Sequence, residues 1–507
     1  MSIVIRVDGS TDIGSGHVMR CLGLAEVLRS RGHAVRFACR DLPGAPLDRI
    51  TDRGFAVTLL PETMSADEDA RLCAGLVTTG DAVVVDHYGL DASWERVVRA
   101  AGCRVLAIDD LADRRHDCEL LLDSTMPGDP ERYRALAPNA GLLLGPEFAL
   151  MSPAFAVERA RGIDPDLSDP RILCFFGGSD LPNLSGRALA ALSSPDLAQV
   201  WVDLVIGSAN PHAAALRRQA EARGRVEVHD AQPNLASLMA RCAWAIGAGG
   251  VTSLERLCLG LPSIVVSIAD NQVQSCRALA AAGLIDYAAH YDEAAPEAGV
   301  PVTMLSERLR VMLADLVDAR ERIGWGMSLV DGMGAWRASQ ALVPSAAEDL
   351  RLRRAGRADC AGYFRWANDP DVRAQAWHQD PIRWPAHQQW FARRLEDPDT
   401  LMLVLTAEEL PVGQVRLERV RPTGAEPRWI LDYSLDRAVR GRGWSVLLLG
   451  EALRHLPAGA IARAEVRPEN EASIRALAGA GWNRLADSPT GSAEGGKVVV
   501  FEAQARS

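Results

Sequence analysis

The chain has 507 residues, a formal net charge of −11 at pH 7 and ten scattered cysteines. This length predicts about three domains of roughly 100–200 residues each, and the acidic balance argues against a general binder of nucleic acid or of anionic membranes. The sequence has no Cys-x-x-Cys pair, no apolar run of about 20 residues and no signal-peptide pattern, so we expect a cytoplasmic protein whose partners are small molecules.

The first predicted strand, Ile3–Val7, leads into a glycine loop and then into a helix. Gly14 and Gly16 permit close backbone approach, and the unpaired N–H groups at the start of a helix can hold an anion. His17 lies where this helix begins, and the helix dipole disfavours a charged imidazole there. We therefore predict that His17 is a general base beside an anion site. Ordinary turn chemistry with a capping histidine remains an equal alternative for this loop taken alone.

Residues 1–150 alternate β-branched runs with helical segments, which is typical of a doubly wound α/β lobe. Asp86 and Tyr88 follow one predicted strand, and Asp110 follows another. Open α/β sheets bind ligands at the carboxyl ends of their strands, so these residues are site candidates by position. Each of them, taken singly, is as well explained as a loop residue. The predicted strands are residues 3–7, 35–39, 57–60, 82–86, 105–109 and 120–123.

A second lobe of the same kind is predicted over residues 151–342, with strands at 172–176, 201–206, 226–228, 244–247 and 263–268. A glycine loop that opens a helix in this lobe can cradle a diphosphate on its backbone N–H groups. Glu255, one turn into that helix, can accept hydrogen bonds from a ribose diol, although such a residue alone is more often a solvated or capping one. The predicted nucleotide-binding residues are Gly178, Ser179, Gly249, Gly250, Thr252, Ser253 and Glu255.

Motifs in both lobes resemble, in wording and order, those of the UDP-sugar hydrolases of pseudaminic acid biosynthesis. The resemblance covers roughly residues 1–340 and rests on residues 8–20, 86–88, 177–180, 249–253 and 269–272. It implies α/β architecture with two Rossmann-like lobes of glycosyltransferase GT-B type. The implied reaction converts UDP-2,4-diacetamido-2,4,6-trideoxy-β-L-altropyranose to the free sugar and UDP, with inversion and C–O cleavage. The resemblance also implies that UDP is the bound nucleotide, that His17 is catalytic and that the substrate-binding residues are Asp8, Gly14, Gly16, Arg20, Asp86, Tyr88 and Asn271.

A linker is predicted over residues 343–349, and residues 350–507 follow an α+β pattern. Its predicted elements are strands at 350–353, 401–406, 412–417 and 430–435 and helices at 359–368 and 446–453. The loop at residues 440–445 resembles the Arg/Gln-x-x-Gly-x-Gly/Ala loop of the GNAT superfamily of N-acetyltransferases. The resemblance implies that backbone amides of this loop bind the pyrophosphate of acetyl-CoA. The implied acetyl-CoA-binding residues are Leu435, Arg440, Gly441, Arg442, Gly443, Trp444, Ser445, Asn470 and Ser473.

Residues 366–373, together with His387 and residues 390–391, resemble the nucleotide-sugar N-acetyltransferase that acts one step before the hydrolase. The chain departs from many relatives at Leu477, where they carry a tyrosine as general acid. Tyr433 is the candidate substitute, although a strand tyrosine is more often a packing residue.

The resemblances together imply a fusion of two consecutive enzymes. The C-terminal domain would use acetyl-CoA to acetylate the 4-amine of UDP-4-amino-4,6-dideoxy-N-acetyl-β-L-altrosamine, and the N-terminal lobes would hydrolyse the product. No metal is expected, because backbone amides, a helix dipole and arginines can offset the charge of a diphosphate. The alternatives are a GT-B glycosyltransferase fused to an acetyltransferase, a related nonulosonic acid pathway with another sugar isomer, and a catalytically silent nucleotide-sugar-binding regulator. We expect no nucleic-acid or membrane partner, and the oligomeric state and any channelling between the sites stay open.

Overall fold

The computed structural model describes residues 1–163, 165–166, 168–292, 300–315, 324, 326–408, 410–421, 427–485 and 498–505. The chain forms two compact units, Met1–Leu342 and Val343–Ser507. Within the described residues, every helix is too short or too polar to cross a membrane.

The first sheet has seven parallel strands in the order β3-β2-β1-β4-β5-β6-β7, so the direction of winding reverses between β1 and β4. Its strands are β1 (Ser2–Val7), β2 (Ala34–Arg40), β3 (Ala56–Leu60), β4 (Ala82–Asp86), β5 (Arg104–Ile108), β6 (Leu120–Asp123) and β7 (Gly141–Leu144). Its helices are α1 (Gly16–Ser30), α2 (Leu47–Thr51), α3 (Ala66–Ala74) and α4 (Ala92–Arg99). The predicted strands are confirmed to within one residue at each end, whereas β7 was not predicted.

The second sheet has six parallel strands in the order β10-β9-β8-β11-β12-β13 and reverses between β8 and β11. Its strands are β8 (Arg171–Phe175), β9 (Trp201–Val205), β10 (Val226–His229), β11 (Trp244–Ala248), β12 (Ser263–Ser267) and β13 (Asp286–His290). Its helices are α5 (Ala154–Arg161), α6 (Leu184–Leu192), α7 (Ala213–Arg223), α8 (Ala236–Arg241), α9 (Val251–Cys258), α10 (Asp270–Ala281) and α11 (Val302–Ala314). The strands predicted here are confirmed, and β13 was not predicted.

Helix α12 (Gly334–Leu342) returns from the second lobe and packs on the first. Arg337 Nη1 donates to the Glu147 carbonyl at 2.8 Å, and Arg104 Nη1 donates to the Leu342 carbonyl at 2.6 Å. The range 151–342 that the sequence assigns to the second lobe therefore ends in a helix that belongs by packing to the first lobe.

The second unit is built on a seven-stranded sheet in the order β14-β15-β16-β17-β18-β20-β19. Its strands are β14 (Leu350–Arg354), β15 (Thr400–Ala407), β16 (Leu410–Val420), β17 (Arg428–Leu435), β18 (Ile461–Val466), β19 (Asn483–Arg484) and β20 (Val499–Gln504). Its helices are α13 (Cys360–Asn368), α14 (Pro370–Gln375), α15 (Trp384–Glu396), α16 (Trp444–Leu453) and α17 (Glu471–Gly479). The predicted fold class, two Rossmann-like lobes followed by an α+β domain, is confirmed.

One strand pair of this sheet is parallel and only partly closed. Residues 428–430 of β17 pair with residues 461–463 of β18, and neither strand pairs with the other beyond those positions. The remaining residues of both strands diverge, which opens a wedge in the sheet.

Candidate functional site

The loop after β1 ends at an open helix start. Gly14 has φ +79°, which favours glycine, and its N–H donates to the Ser10 carbonyl at 2.8 Å. Helix α1 begins at Gly16, and the residue before it, Ser15, makes no side-chain capping bond. The first N–H groups of α1 are therefore available to an anion.

His17, in the first turn of α1, is held by a carboxylate. Its Nδ1 lies 2.7 Å from Asp86 Oδ1. An ionised carboxylate can only accept, so Nδ1 carries a proton and donates it, which leaves Nε2 as the nitrogen that can act as a base. Arg20 Nη2 lies 3.1 Å from Nδ1 and donates to the same carboxylate oxygen at 2.6 Å. This arrangement suits a base whose ring is fixed in one tautomer.

Asp86, at the end of β4, is buried and fully occupied by its neighbours. Arg20 donates to both of its oxygens at 2.6 Å. Burial alone would raise the pKa of Asp86, but the charge of Arg20 and the hydrogen bonds from Arg20 and His17 hold it well below its ordinary value. Asp86 thus stays charged and orients His17. The prediction that Asp86 contacts the substrate does not fit this burial.

Asp8 differs from its prediction in the same way. Its side chain is 2% exposed and forms an ion pair with the fully buried Arg6 at 2.6 Å. It also accepts from the Arg40 N–H at 2.8 Å, and His87 Nε2 lies 3.3 Å away. Asp8 therefore holds the start of the loop through buried contacts. Its position after β1 in the sequence did not indicate that its side chain is buried.

Tyr88 and Asn271 meet beside His17. The rings of Tyr88 and His17 are edge to face with centroids 4.8 Å apart. Asn271, at the start of α10 in the second lobe, donates from Nδ2 to the Tyr88 hydroxyl at 3.0 Å. That hydroxyl donates to Asp110 Oδ1 at 2.8 Å, and Arg20 Nη1 donates to Asp110 Oδ2 at 2.9 Å. The predicted residues His17, Arg20, Tyr88 and Asn271 are thus brought together, and Asp110 links them.

The loop after β8 lies against the loop after β1. Gly177 has φ +98°, and a Cβ added to Gly178 would lie 3.4 Å from Ser15 Oγ. Ser179 follows in the same loop. The two predicted glycine loops are therefore in van der Waals range of each other, at the point where each sheet reverses its winding.

The loop after β11 opens α9 without a side-chain cap at Gly250. The Gly249 N–H donates to the Val266 carbonyl at 3.0 Å, and a Cβ on Gly249 would lie 2.4 Å from Cys276 Sγ. A side chain at position 249 would clash, so glycine is required there for packing. The Gly249 N–H is already bonded and is not free to bind the nucleotide, contrary to the prediction. Ser253 is 1% exposed, so its hydroxyl also faces inward. The N–H groups that follow Gly250 remain at the open helix start.

Glu255 lies half-buried in α9 and has no hydrogen-bond or ion-pair partner among the described residues. Burial raises the pKa of its carboxyl to about 7. A carboxylate that gives up water without a protein partner can accept bonds from a ligand. Ribose binding by Glu255 stays a prediction.

The second unit has a cavity of about 1050 Å³ in the wedge between β17 and β18. Beside it, Gly441 and Gly443 have φ +79° and +74°, and Gly443 precedes the first residue of α16. Arg440 pairs with Asp369 at 3.0 Å and with Asp371 at 2.8 Å. Its guanidinium is thus engaged within the protein, so the loop offers its backbone rather than this side chain.

Two other side chains of the loop at residues 440–445, Arg442 and Trp444, are also engaged within the protein. Arg442 Nη2 donates to the Ala438 carbonyl at 3.1 Å, and its guanidinium lies 5.3 Å from the Trp444 ring centroid. Trp444 is buried. Leu435 and Ser445 line the cavity.

Tyr433 faces the cavity together with two predicted acetyl-CoA residues. Its hydroxyl donates to Ser473 Oγ at 3.1 Å, and Asn470 Oδ1 accepts from the Ser473 N–H at 3.1 Å. Burial raises the pKa of Tyr433, so the hydroxyl keeps its proton. Leu477 is fully buried and does not line the cavity.

Sequence reasoning missed two arginine-aromatic pairs at this cavity. The Arg467 guanidinium lies 5.3 Å from the Trp377 ring centroid, and that of Arg416 lies 5.1 Å from Trp390. His387 also lines the cavity; burial lowers its pKa to about 4, and its Nε2–H donates to a backbone carbonyl. The sequence signals for this end were residues 366–373, His387 and residues 390–391.

One cluster of the described residues, Asp203, Glu227 and His229, has the spacing of metal ligands. Asp203 already pairs with Arg171 at 2.9 Å and with Arg241. The cluster is thus a salt-bridge network on the second sheet.

Comparisons with known proteins give different relatives for the N-terminal and the C-terminal region of the chain. Residues 349–483 match the acetyltransferase (GNAT) domain family. The spore coat polysaccharide biosynthesis protein SpsG of Bacillus subtilis is 25% identical over 346 residues, which cover 68% of this chain and 98% of that protein. The Campylobacter jejuni UDP-2,4-diacetamido-2,4,6-trideoxy-β-L-altropyranose hydrolase is 24% identical over 243 residues, 47% of this chain and 81% of that protein. Acinetobacter baumannii MurG aligns with a TM-score of 0.48 and 14% identity over 67% of this chain and 99% of its own. The N-terminal region is similar to SpsG and the hydrolase, and the C-terminal region carries a GNAT domain.

Proposed function

We propose that the chain is a bifunctional enzyme of a sugar-nucleotide pathway. Its GNAT domain acetylates the 4-amine of UDP-4-amino-4,6-dideoxy-N-acetyl-β-L-altrosamine, and residues 1–342 hydrolyse the resulting UDP-2,4-diacetamido-2,4,6-trideoxy-β-L-altropyranose. The observation that carries the hydrolase half is the His17–Asp86 pair beside Tyr88 and Asn271, where the glycine loops of both sheets approach. The similarity to the Campylobacter jejuni hydrolase supports this substrate class.

In the proposed hydrolysis, His17 Nε2 takes a proton from water while the water oxygen attacks C1 of the sugar. The bond between C1 and the diphosphate oxygen breaks, and UDP leaves with the electron pair, so C1 is inverted. Asp86 keeps Nδ1–H in place and stabilises the imidazolium that forms. The proton then passes from His17 to solvent.

We propose that UDP is held by the second lobe. The N–H groups at the start of α9 and the loop after β8 face the diphosphate, and Glu255 accepts hydrogen bonds from the ribose hydroxyls. The charge of the leaving diphosphate is thus met by oriented amides.

In the proposed acetyl transfer, the neutral amine of the substrate attacks the thioester carbonyl of acetyl-CoA, and the C–S bond breaks. The amine releases one proton to solvent, and Tyr433 gives one to the departing sulfur and regains one from solvent. The backbone of residues 440–445, at the start of α16, binds the pyrophosphate of acetyl-CoA. The partly closed β17–β18 wedge supports this placement, because its cavity holds Tyr433, Asn470 and Ser473.

The proposal is tested by incubating the purified chain with UDP-2,4-diacetamido-2,4,6-trideoxy-β-L-altropyranose and analysing the products by NMR. Free sugar and UDP in buffer alone support hydrolysis. A glycoside formed only with an added acceptor sugar would instead indicate a glycosyltransferase, and tight binding without turnover would indicate a regulator.

A further inference from the structure

A buried arginine lies beneath the glycine loop that opens α9. Arg256 is 1% exposed. Its Nη2 donates to the Ala248 carbonyl at 2.8 Å and to Ser253 Oγ at 3.0 Å. A Cβ added to Gly247 would lie 2.8 Å from its Nη1. The guanidinium is therefore packed directly against the backbone at the root of the loop.

This guanidinium forms no ion pair in the described part of the chain, and the neighbouring Glu255 carboxyl acts on it only through space. Its acceptors are a carbonyl and hydroxyl oxygens, and its Nε makes no hydrogen bond there. Glu255 forms no ion pair with it, and burial raises the pKa of the adjacent Cys276 thiol to about 11, so the thiol is neutral. Burial lowers the pKa of Arg256 to about 10, which still leaves it charged at neutral pH. A buried charge without a partner is costly unless an anion completes the site.

We infer that Arg256 supplies the positive charge that draws the diphosphate of a nucleotide to this loop, acting through the electric field rather than by contact. The inference rests on the proposed function, which places UDP at the start of α9. The positive end of the helix dipole and the guanidinium lie at the same turn, so their potentials add. Because Arg256 is itself buried, its charge is less screened by solvent than that of a surface arginine.

Arg256 also fixes the shape of the loop through its hydrogen bonds, so charge and shape have to be separated by experiment. Arg223, a half-buried arginine of the same lobe, serves as a control. It donates only to carbonyl oxygens, among them those of Leu192 at 3.2 Å and Val200 at 2.9 Å. Leu192 ends α6 and Val200 precedes β9, whereas the glycine loops lie at the carboxyl ends of their strands.

The experiment measures the dissociation constants of UDP, UMP and uridine for the full chain and for Arg256→Met, Arg256→Lys and Arg223→Met. We expect Arg256→Met to weaken UDP binding by roughly 10- to 100-fold, UMP binding by less, and uridine binding by under about threefold. Arg256→Lys should keep most of the preference for UDP over uridine, because it keeps the charge. Arg223→Met should leave that preference unchanged.

Equal losses for all three ligands in Arg256→Met, or an equal loss of UDP binding in Arg256→Lys and Arg256→Met, would overturn the inference, since the charge would then not be what draws the diphosphate. If Arg256→Met does not fold by circular dichroism, Arg256→Gln provides the neutral side chain, with hydrogen-bond donors retained. A wild-type chain that binds neither UDP nor UMP would instead refute the proposed nucleotide site itself.

Discussion

His17 and Asp86 stand 69 positions apart, and their side chains meet because α1 follows β1 and because β1 and β4 are neighbours in the sheet. The carboxylate determines which nitrogen of His17 is the base. Sequence pattern predicted the residue types at these strand ends, but it could not show that Asp86 and Asp8 turn inward, since burial depends on packing from other elements. Only the folded chain identifies Arg20 as the partner of Asp86 and Arg6 as the partner of Asp8.

For the base itself, we predict that His17→Ala lowers the rate of UDP-sugar hydrolysis by roughly 10²- to 10⁴-fold, the usual contribution of general base catalysis. UDP binding should be largely retained, because the nucleotide is assigned to the other lobe. Steady-state kinetics and calorimetry measure the two effects. Asp86→Asn should also slow hydrolysis, by removing the acceptor that orients Nδ1–H. Wild-type turnover in His17→Ala would remove His17 from the mechanism.

Glu255 gives a pH-dependent prediction. The pKa of its carboxyl is about 7, above the ordinary glutamate value, so the carboxylate that accepts bonds from ribose forms only as pH rises through 7. Uridine, which does not titrate in this range, should therefore bind more tightly at pH 8 than at pH 6. Glu255→Gln should abolish this dependence, as measured by ligand-observed NMR. The same slope in both proteins would show that another group titrates.

At the scale of elements, the strands that the sequence revealed are those with buried β-branched runs. Two of the missed strands, β7 and β13, lie at sheet edges; β18, β19 and β20 of the second unit were also not predicted. β7 is only four residues long, and every residue of β13 is half-buried, so neither presents the continuous apolar run of a central strand. The β17–β18 wedge likewise follows from strand pairing and not from composition.

The loop before α16 gives a prediction with an internal control. Gly443 has φ +74°, so any side chain there is strained, and Gly443→Glu adds negative charge where the CoA pyrophosphate is proposed. This variant should lose acetyl transfer and retain hydrolysis of the pre-acetylated substrate. Gly450→Ala, within α16, adds a Cβ that meets nothing within 4 Å and should leave both activities unchanged. Loss of both activities in folded Gly443→Glu would mean that the sites are coupled.

At the scale of the whole molecule, the chain divides after Leu342 into two compact units. The return of α12 to the first lobe was beyond sequence reasoning, because the amphipathic pattern of a nine-residue helix does not say which surface covers it. The carbonyl oxygen of Leu342, the last residue of α12, accepts a hydrogen bond from Arg104 of the first lobe. This bond connects the end of the unit Met1–Leu342 to the first lobe.

We predict that a cut within residues 343–349 yields two pieces that each fold, the first retaining hydrolysis and the second acetyl transfer. A first piece that stops at residue 333 lacks α12 and uncovers the face of α1 on which it packs. That piece should unfold at a lower temperature than residues 1–342, as measured by thermal denaturation. Equal melting temperatures would show that α12 is dispensable.

The central claim, acetylation followed by hydrolysis at C1, is tested most directly by one NMR time course in water enriched in ¹⁸O. The full chain is supplied with UDP-4-amino-4,6-dideoxy-N-acetyl-β-L-altrosamine, with and without acetyl-CoA. The account predicts that rapid UDP release requires acetyl-CoA, that the free diacetamido sugar carries ¹⁸O at C1, and that the released UDP carries none. Release of ¹⁸O-labelled UDP, or release at the same rate without acetyl-CoA, would contradict it.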